Sequence, residues 1–416
     1  MKKQAMKKQA LVLALAACGL TAAFSVSAQE RVRIGFMSPV TGPQAANGID
    51  NRDGALLALK EFNAKGIKVG GKAVQFVLDI NDDGADPKQG VQVAQRLSDQ
   101  KVKFVLGPYN SGVTMPASRV LADAGMGVFT VASNPKVTEQ GYATLFRIGA
   151  SDNQLGAKMA TYAAQDLKIK TVAVIDDRTA YGQGVAREFT EQAKRLGLKS
   201  VANEFTTDKA TDFSAILTNI RAAKADAVFY GGYSPQGGPL LKQMRALGIT
   251  AALLGGDGIC SSETAMLSQV TGDLNTFCTQ GGSMLDRSDK GQKFAATYRA
   301  EYKRDPLTYA AAFYDGMHLI AAAVEATQSL DVKKVTEHIA AGKYMGVTGE
   351  FAYDAKHDLR SSAVTVFTFK VDIEDSGIAY FKKDSPVRMS DDFINRAGVA
   401  GTSPGWIAFD SKTPRG

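Results

Sequence analysis

The chain has 416 residues and a formal net charge of +7, with 49 lysines and arginines against 42 aspartates and glutamates. Four of the lysines lie within the first eight residues, so the rest of the chain carries only about +3 and has no run of five basic residues. This charge argues against a nucleic-acid-binding protein, which would need a basic patch. After residue 28 no stretch of 18 apolar residues occurs, so we expect no membrane-spanning helix there.

The first 28 residues have the pattern of an export signal. A basic segment at 2–8 precedes an apolar run at 10–17, and Val26-Ser27-Ala28 supplies the small residues that signal peptidase requires. We therefore expect cleavage after Ala28 and a location in the periplasm. A lipoprotein is the alternative, because residues 15–18 match a lipobox that would place an acylated Cys18 at the N-terminus.

Two cysteines, Cys260 and Cys278, remain once the leader is removed. Cysteines in an oxidising compartment usually pair, so we predict a disulfide between them. Free thiols or a metal site are the alternatives. The histidines that a metal site would use, His318, His338 and His357, are scattered along the chain and none pairs at helical spacing. We expect neither a metal nor a cofactor.

Short β-rich segments alternate with longer amphipathic segments along the chain. The predicted strands are Val32–Phe36, Val74–Ile80, Phe104–Leu106, Val128–Thr130, Val172–Asp176, Val201–Phe205, Ala227–Tyr230 and Ala252–Leu254. Apolar residues at helical spacing lie between them, at Ala55, Leu56, Leu59 and Phe62, at Val91, Ala94 and Leu97, and at Phe189, Ala193 and Leu196. Asp86 before Pro87 marks one helix start, and Asp212 precedes a helical pattern over 213–223.

This alternation is typical of parallel sheets with helices on both faces. The strands are too many for one sheet, and the pattern restarts at Thr171 after a helix predicted over roughly 153–167. The sequence therefore predicts an α/β fold of two similar lobes. Since ligands bind open α/β sheets at the carboxyl ends of the strands, the facing strand ends should carry the site.

Motifs for nucleotide binding and catalysis are missing or out of context. The first βα turn, at 37–43, lacks G-x-G-x-x-G, and no Walker A sequence occurs, which argues against a dehydrogenase or an NTPase. Residues 401–405 match G-x-S-x-G, but no histidine follows Ser403. Residues 79–84 begin like an EF-hand loop, but Gly90 stands where a glutamate is needed. The sequence therefore predicts binding and not catalysis.

Three loops after predicted strands are rich in small residues and hydrogen-bond donors. They are Gly107–Gly112, Thr130–Pro135 and Gly255–Gly258. The first loop leads into a helix predicted from about Thr114, so Ser111 and the free N–H groups of the helix start could bind an anion. The third loop places a lone carboxylate, Asp257, between glycines that let a ligand approach the backbone.

Together these groups suit an α-amino acid zwitterion. Neutral donors would take the carboxylate, Asp257 would take the ammonium, and the rings of Tyr181 and Tyr233 would cover the side chain. Each buried charge would then meet a partner, and an unpaired one is costly. Taken singly, Ser111 could equally be a helix N-cap, and Asp257 could be an ordinary loop carboxylate.

Eight short stretches carry a resemblance to a known family. They are Asp53–Leu59, Asn63–Gly66, Asn81–Gln89, Gly107–Ser118, Tyr181–Arg187, Asp212–Ser214, Tyr230–Tyr233 and Gly255–Gly258. With these motifs in this order, residues 31–370 resemble the leucine/isoleucine/valine-binding proteins, the periplasmic components of branched-chain amino-acid ABC transporters. The resemblance implies a type I periplasmic-binding-protein fold, in which two Rossmann-like lobes are joined by a three-strand hinge.

The resemblance also implies domain boundaries. Residues 29–150 and about 281–355 would form lobe 1, and residues 151–280 and about 356–372 would form lobe 2. The tail at 373–416 lies outside the resemblance, and we assign it no role.

Site residues follow from the resemblance position by position. Ser111, Ala132 and Asn134 match the positions that hold the α-carboxylate, and Asp257 matches the position that holds the ammonium. Tyrosines match the pocket walls, Tyr309 less closely than the others. The full expected set is Tyr109, Asn110, Ser111, Ala132, Ser133, Asn134, Tyr181, Tyr233, Asp257, Gly258 and Tyr309.

Three positions depart from the family pattern. Asn134 stands where branched-chain binders usually have a threonine, Asp257 is one methylene shorter than the common glutamate, and Asn47 occupies a place that is often aromatic. Recognition of an amino-acid backbone is compatible with these changes. Leucine, isoleucine or valine as the ligand does not follow from the motifs alone.

We therefore expect a monomeric, non-enzymatic binding protein that closes on an amino acid and delivers it to an ABC permease in the inner membrane. The expected ligand is branched-chain or otherwise apolar. The alternatives are a sensory receptor subunit with the same pocket, an exported hydrolase, and a related small ligand such as an amide, urea or an aromatic acid.

Overall fold

The computed structural model describes residues 30–373, 379–380 and 407–409, and the side chains of 30–369. The predicted leader with Cys18 and Ala28, the motif at 401–405 and most of the tail lie outside these residues. Within the described part, no helix combines the length and the apolar composition that crossing a bilayer requires.

The strands of the described residues are numbered in chain order. They are β1 (Glu30–Ser38), β2 (Lys68–Val69), β3 (Lys72–Asp82), β4 (Phe104–Leu106), β5 (Gly127–Thr130), β6 (Leu145–Arg147), β7 (Thr171–Asp176), β8 (Lys199–Phe205), β9 (Ala227–Gly231), β10 (Ala252–Gly255), β11 (Gly272–Gly281), β12 (Tyr344–Met345), β13 (Glu350–Phe351), β14 (Val364–Ile373), β15 (Ala379–Tyr380) and β16 (Ile407–Phe409). Each of the eight predicted strands lies inside one of them.

The helices of the described residues are numbered in the same way. They are α1 (Ala45–Lys65), α2 (Pro87–Asp99), α3 (Ser111–Asp123), α4 (Asp152–Gln165), α5 (Ala180–Arg195), α6 (Ser214–Ala223), α7 (Ser234–Ala246), α8 (Ser262–Ser268), α9 (Asp289–Tyr302), α10 (Ala310–Thr327) and α11 (Val332–Ala341). Short 3-10 helices span Pro135–Val137, Asp257–Ile259 and Leu285–Arg287.

The strands form two large sheets. The first has six strands in the order β2-β3-β1-β4-β5-β6, and all its neighbours are parallel except β2 and β3. The second has the order β15-β14-β11-β10-β9-β7-β8, with β16 also paired to β14. It is parallel from β8 to β11, and β14 joins it antiparallel to β11. The predicted α/β architecture is confirmed. The second sheet begins with β7 at Thr171, where the sequence predicted that the strand–helix pattern restarts.

Each sheet is the centre of one lobe. Lobe 1 contains the first sheet and helices α1–α3 and α9–α11, and α10 packs along α1. Lobe 2 contains the second sheet and helices α4–α8, and α4 packs on α5 and β11. The chain passes between the sheets three times: from β6 to α4, from β11 to α9, and from β13 to β14. Three crossings are what the predicted hinge requires.

Helix starts follow local sequence rules in part. Asp86 caps α2 as predicted, because its Oδ1 accepts hydrogen bonds from the backbone N–H groups of Lys88 and Gln89 at 2.8 and 2.9 Å. Helix α3 begins at Ser111 and not near Thr114, since the N-cap is Asn110, whose backbone is extended. Ser111 therefore lies inside the first turn, and its interpretation as an N-cap is wrong.

The predicted disulfide between Cys260 and Cys278 is present, with a Cα–Cα distance of 5.3 Å. It joins the loop after β10 to the middle of β11, next to the site loop that carries Asp257. Free thiols and a metal site at these cysteines are thereby excluded. No other group of histidine, cysteine or acidic residues in the described part is arranged to hold a metal ion.

Replacing both cysteines by alanine should lower the free energy of unfolding by about 3 kcal/mol, because the cross-link removes entropy from the unfolded chain. Urea denaturation of the two proteins measures this difference. The wild type unfolded in the presence of a reductant is the control and should match the variant. Coincident urea curves for the oxidised wild type and the variant would contradict the role of the disulfide.

Candidate functional site

The three predicted loops all lie at carboxyl ends of parallel strands. The loop at 107–110 follows β4, the loop at 131–134 follows β5, and Asp257 follows β10. Tyr233 lies just after β9, at the N-cap of α7. Because parallel strands end at the same edge of their sheet, each lobe collects its loops on one side. The two edges face each other, as the contacts between them show.

Asp257 of lobe 2 is the buried centre of these contacts. Its Oδ1 accepts a hydrogen bond from the Tyr181 hydroxyl at 2.8 Å, and its Oδ2 accepts one from the hydroxyl of Tyr309. The backbone N–H of Gly258 donates to the Tyr181 hydroxyl at 2.8 Å. Tyr309 belongs to lobe 1, where it forms the N-cap of α10. The carboxylate is therefore held by hydroxyl groups from both lobes.

Burial decides the electrostatics at Asp257. Removal from water raises the pKa of the Asp257 carboxyl, while the hydrogen bonds from Tyr309 and Tyr181 lower it. The pKa of Tyr181 and that of Tyr309 are both raised, first by burial and then by the charge of Asp257. Neutral donors thus stabilise the carboxylate without a cation. A carboxylate has about four lone-pair sites, so two tyrosines leave capacity for a ligand cation.

Four tyrosine rings surround this carboxylate. The centroids of Tyr109 and Tyr309 are 5.8 Å apart, those of Tyr109 and Tyr233 are 6.2 Å apart, and those of Tyr181 and Tyr233 are 4.9 Å apart. All four side chains are buried. Tyr109 and Tyr309 come from lobe 1 and the other two come from lobe 2. The rings form one continuous series of contacts across the two lobes.

The two lobe 1 loops meet each other at Ser111. The Ser111 hydroxyl accepts a hydrogen bond from the backbone N–H of Asn134 at 3.2 Å. The backbone N–H of Ala132 donates to the Thr130 hydroxyl at 3.0 Å, within its own loop. Both N–H groups are therefore engaged inside lobe 1. The Ser111 hydroxyl hydrogen and the first N–H groups of α3 are the donors this region offers to an anion.

Asn134 makes a contact that sequence reasoning did not anticipate. Its side-chain Nδ2 donates to the backbone carbonyl of Ala180, in lobe 2, at 2.6 Å. Its Oδ1 accepts from the backbone N–H of Lys136 at 3.0 Å. Both ends of the amide are thus bonded to protein. Ser133, next to it, accepts at its backbone carbonyl from the Asp152 N–H at 2.8 Å.

A group of buried amides lies beside the tyrosines. Asn110 donates through Nδ2 to the Gln44 side-chain oxygen at 2.8 Å. The Asn110 side chain also interacts with Tyr233, whose pKa is raised by burial and by Tyr109 and lowered by this amide. Within the described residues, Asn110 Oδ1 and Asn47 Nδ2 are buried and have no hydrogen-bond partner. Gln44 was not predicted; its place at the N-cap of α1, after the first βα loop, is the signal that could have found it.

Arg147 is the main residue that sequence reasoning missed. It is fully buried at the end of β6, and its guanidinium donates to the carbonyls of Ala132 and Asn134 and to the Thr138 hydroxyl. Its Nε donates to the carboxylate of Asp358, on the third crossing segment. Arg147 thereby fixes the loop at 132–134 to the hinge region. The sequence signal that could have identified Arg147 is its position directly after the apolar residues Leu145 and Phe146, at the end of a buried strand.

Asp152, also missed, is fully buried where α4 begins. Burial raises the pKa of its carboxyl well above the ordinary value, and the charge of Asp257 raises it further. The hydroxyl of Ser133 and the charge of Arg147 act in the opposite direction. Two buried carboxyl groups, Asp152 and Asp257, thus raise the cost of negative charge in this region.

Replacing Arg147 by methionine should lower the free energy of unfolding by about 3–5 kcal/mol, because buried partners lose their donor. The control is Arg187→Met, since Arg187 makes an ion pair with Glu188 at the surface, where such pairs contribute about 0–1 kcal/mol. Urea denaturation of both variants checks the difference. Equal stabilities of the two variants would contradict the structural role of Arg147.

Comparison with known proteins agrees with this architecture. A model of the periplasmic binding protein family matches residues 31–375. The chain is 36% identical over 340 residues to Leu/Ile/Val-binding protein homolog 1 of Brucella suis, covering 81% of this chain and 90% of that protein. It is 31% identical over 374 residues to the leucine-, isoleucine-, valine-, threonine-, and alanine-binding protein of Pseudomonas aeruginosa, covering 89% and 98%.

A solved structure shows the same fold. The branched-chain amino acid transporter substrate binding protein LivJ of Streptococcus pneumoniae, in complex with isoleucine, superimposes with a TM-score of 0.74 at 28% identity, covering 84% of this chain and 98% of that one. The family predicted from the motifs is thus confirmed. The chain belongs to the periplasmic binding protein family, as a relative of the leucine/isoleucine/valine-binding proteins.

Proposed function

We propose that this chain captures an α-amino acid in the periplasm, closes its two lobes on it, and delivers it to the permease of an ABC importer. The observation that carries the proposal is the buried Asp257, held by Tyr181 from lobe 2 and Tyr309 from lobe 1. A buried carboxylate with only neutral partners at the lobe interface suits a cationic ligand group.

The ligand ammonium would bind Asp257. The two tyrosine hydroxyls orient the carboxylate, and the ring faces around it favour a nearby cation. Ammonium binding would lower the raised pKa of Asp257, because an opposite charge stabilises the ionised form. The carboxylate that is costly in the free protein would then be paired.

The ligand carboxylate would bind on lobe 1, at Ser111. The Ser111 hydroxyl and the first N–H groups of α3 supply neutral donors, and the positive end of the helix dipole favours an anion. Ala132, Ser133 and Asn134 form the wall of this subsite, because the hydrogen bond from the Asn134 N–H to Ser111 places their loop against it. The ligand would thus bridge the lobes through its two charges.

Bridging explains how the ligand would favour closure. A ligand that contacts both lobes binds the closed form better than the open form, so it shifts the population toward closure. The three crossings near residues 148–152, 282–288 and 352–363 would act as the hinge. We place the lobe boundaries at these crossings, as the family resemblance implied. The closed shape is the one a permease would recognise.

The side-chain pocket supports an apolar ligand. Tyr109 and Tyr233 bring aromatic rings together from the two lobes. The relatives from Brucella suis and Pseudomonas aeruginosa are named for leucine, isoleucine and valine, the second also for threonine and alanine. We propose a branched-chain or similar apolar amino acid as the ligand. A solute-binding protein of this kind needs no catalytic group, and we propose none.

A polar ligand is the second candidate. The buried Asn110 Oδ1, without a partner among the described residues, would accept a hydrogen bond from a ligand amide or hydroxyl. An aliphatic side chain would leave that oxygen unpaired at a cost of about 1–3 kcal/mol. A hydroxylated or amide-bearing amino acid, or a small amide such as urea, would satisfy it.

A thermal-shift screen of the mature protein tests both candidates. The panel is leucine, isoleucine, valine, threonine, glutamine, urea and benzoate, because a ligand at 100 times its Kd adds about 2.7 kcal/mol to the stability of the folded state. A rise in Tm with the branched-chain amino acids supports the proposal. A rise confined to threonine, glutamine or urea supports the polar candidate, and a rise with none of the amino acids contradicts the proposed function.

Replacing Asp257 by asparagine should weaken leucine binding by about 2–5 kcal/mol, since the ammonium loses its buried counter-charge. In the wild type, affinity should also fall as pH decreases, because the raised pKa lets Asp257 take up a proton at a higher pH than an ordinary aspartate and the neutral acid cannot pair with an ammonium. Isothermal titration calorimetry at several pH values checks both effects.

The variant Ser111→Ala is the matched comparison for Asp257. It should weaken leucine binding by only about 1–2 kcal/mol, because backbone donors of α3 remain. It should keep the pH dependence of the wild type, whereas Asp257→Asn should lose it. Wild-type affinity in Asp257→Asn would show that the ammonium binds elsewhere.

A further inference from the structure

The Asn134 side chain reaches from lobe 1 to lobe 2. Its amide nitrogen lies 2.6 Å from the carbonyl oxygen of Ala180, the first residue of α5. The opposite end of the amide accepts from the N–H of Lys136, so the side chain is oriented from within lobe 1. The Asn134 carbonyl is in turn held by Arg147. A rigidly mounted donor thus meets an acceptor on the other lobe.

Helix α5 has a matching notch at Gly184. A Cβ at this position would lie 2.4 Å from Asn134 Nδ2 and 2.7 Å from Asp152 Oδ2, closer than atoms can approach. Residue 184 follows Ala180 by four positions, so its side chain would stand over the Ala180 carbonyl on the same helix face. A helix carbonyl has a second lone pair beside the one used in the helix. Glycine leaves that lone pair accessible to Asn134.

We propose that Asn134 is an interlobe latch: its amide, seated in the notch at Gly184 and bonded to the Ala180 carbonyl, stabilises the closed lobes independently of the ligand. The latch would raise the closed fraction of the free protein. Since apparent affinity scales with the fraction of the binding-competent form, the hydrogen bond to Ala180 would also tighten ligand binding, in addition to any contact of Asn134 with the ligand.

The neighbouring groups fit this role. Asp152 flanks the notch from the start of α4, and it is buried together with Asn134. Gly112 of α3 faces Ala180 at the same interface, but a Cβ there would be 3.9 Å from the Ala180 Cβ, which is ordinary contact. The fit is therefore tight at Gly184 and loose at Gly112, so Gly112 provides a matched control for the scattering measurement.

The test combines small-angle X-ray scattering of the ligand-free protein with leucine titration, on Asn134→Ala, Gly184→Ala, the double variant and Gly112→Ala. Asn134→Ala should increase the radius of gyration of the free protein and weaken leucine binding roughly 2- to 12-fold, the equivalent of one hydrogen bond. Gly184→Ala should act in the same direction because its methyl group occupies the notch. Gly112→Ala is the control for the scattering measurement, and the radius of gyration of the free variant should match that of the wild type.

The double variant tests whether Asn134 and Gly184 act through one shared contact or through two independent effects. Once Asn134 is alanine, the methyl group at 184 has lost one of its two clashes, so the combined effect should be smaller than the sum of the single effects. Unchanged scattering of free Asn134→Ala, or wild-type behaviour of Gly184→Ala, would overturn the proposal. Weaker leucine binding with unchanged scattering would make Asn134 a ligand contact and overturn it as well.

The affinity measurement rests on the proposed function, but the scattering measurement does not. If the wild type fails to bind leucine, the proposed ligand is wrong. The radius of gyration of the free variants still decides whether Asn134 holds the lobes together.

Discussion

The buried carboxylate of Asp257 is the constraint around which the cleft is arranged. An ionised group without water needs partners, and the protein supplies them from both lobes, with Tyr181 on one side and Tyr309 on the other. Such partners are neutral, so they tolerate the charge without cancelling it. Neutral donors can hold the ionised carboxylate in the free protein, and a bound cation would stabilise it further. Under the proposed function, the same interaction would link the ligand ammonium to the relative position of the lobes.

Rigidity in lobe 1 complements this arrangement. Arg147 holds the carbonyls of the loop at 132–134 and pairs with Asp358 on a crossing segment. The loop can then hold Asn134 in a fixed position, and the Asn134 N–H in turn holds the Ser111 hydroxyl of α3. Preorganised donors lose little entropy when they bind a partner. The guanidinium thus positions the loop at 132–134 through its backbone carbonyls.

Polar groups and aromatic rings both take part in the contact between the lobes. Asn134 crosses to Ala180, and Asn110 lies beside Tyr233, so closure joins hydrogen-bonding groups as well as aromatic rings. Directional contacts of this kind specify one closed position, because a displaced lobe would leave buried donors unpaired. The tyrosine rings supply contact area, and the amide hydrogen bonds fix the position of one lobe relative to the other.

Local patterns in the sequence determined the strands, the helix start at Asp86, the disulfide and the three loops of the site, since each depends on residues close together in the chain. Strands β2, β6 and β11–β16 were not predicted. Arg147 ends β6, and Asp273 and Asn275 interrupt the apolar pattern where β11 has an irregular register. Only the tertiary structure brought Arg147 to Asp358, 211 residues away, and Asn134 to Ala180. Such pairs follow no period, because they depend on how two folded lobes meet and not on how a strand or helix repeats.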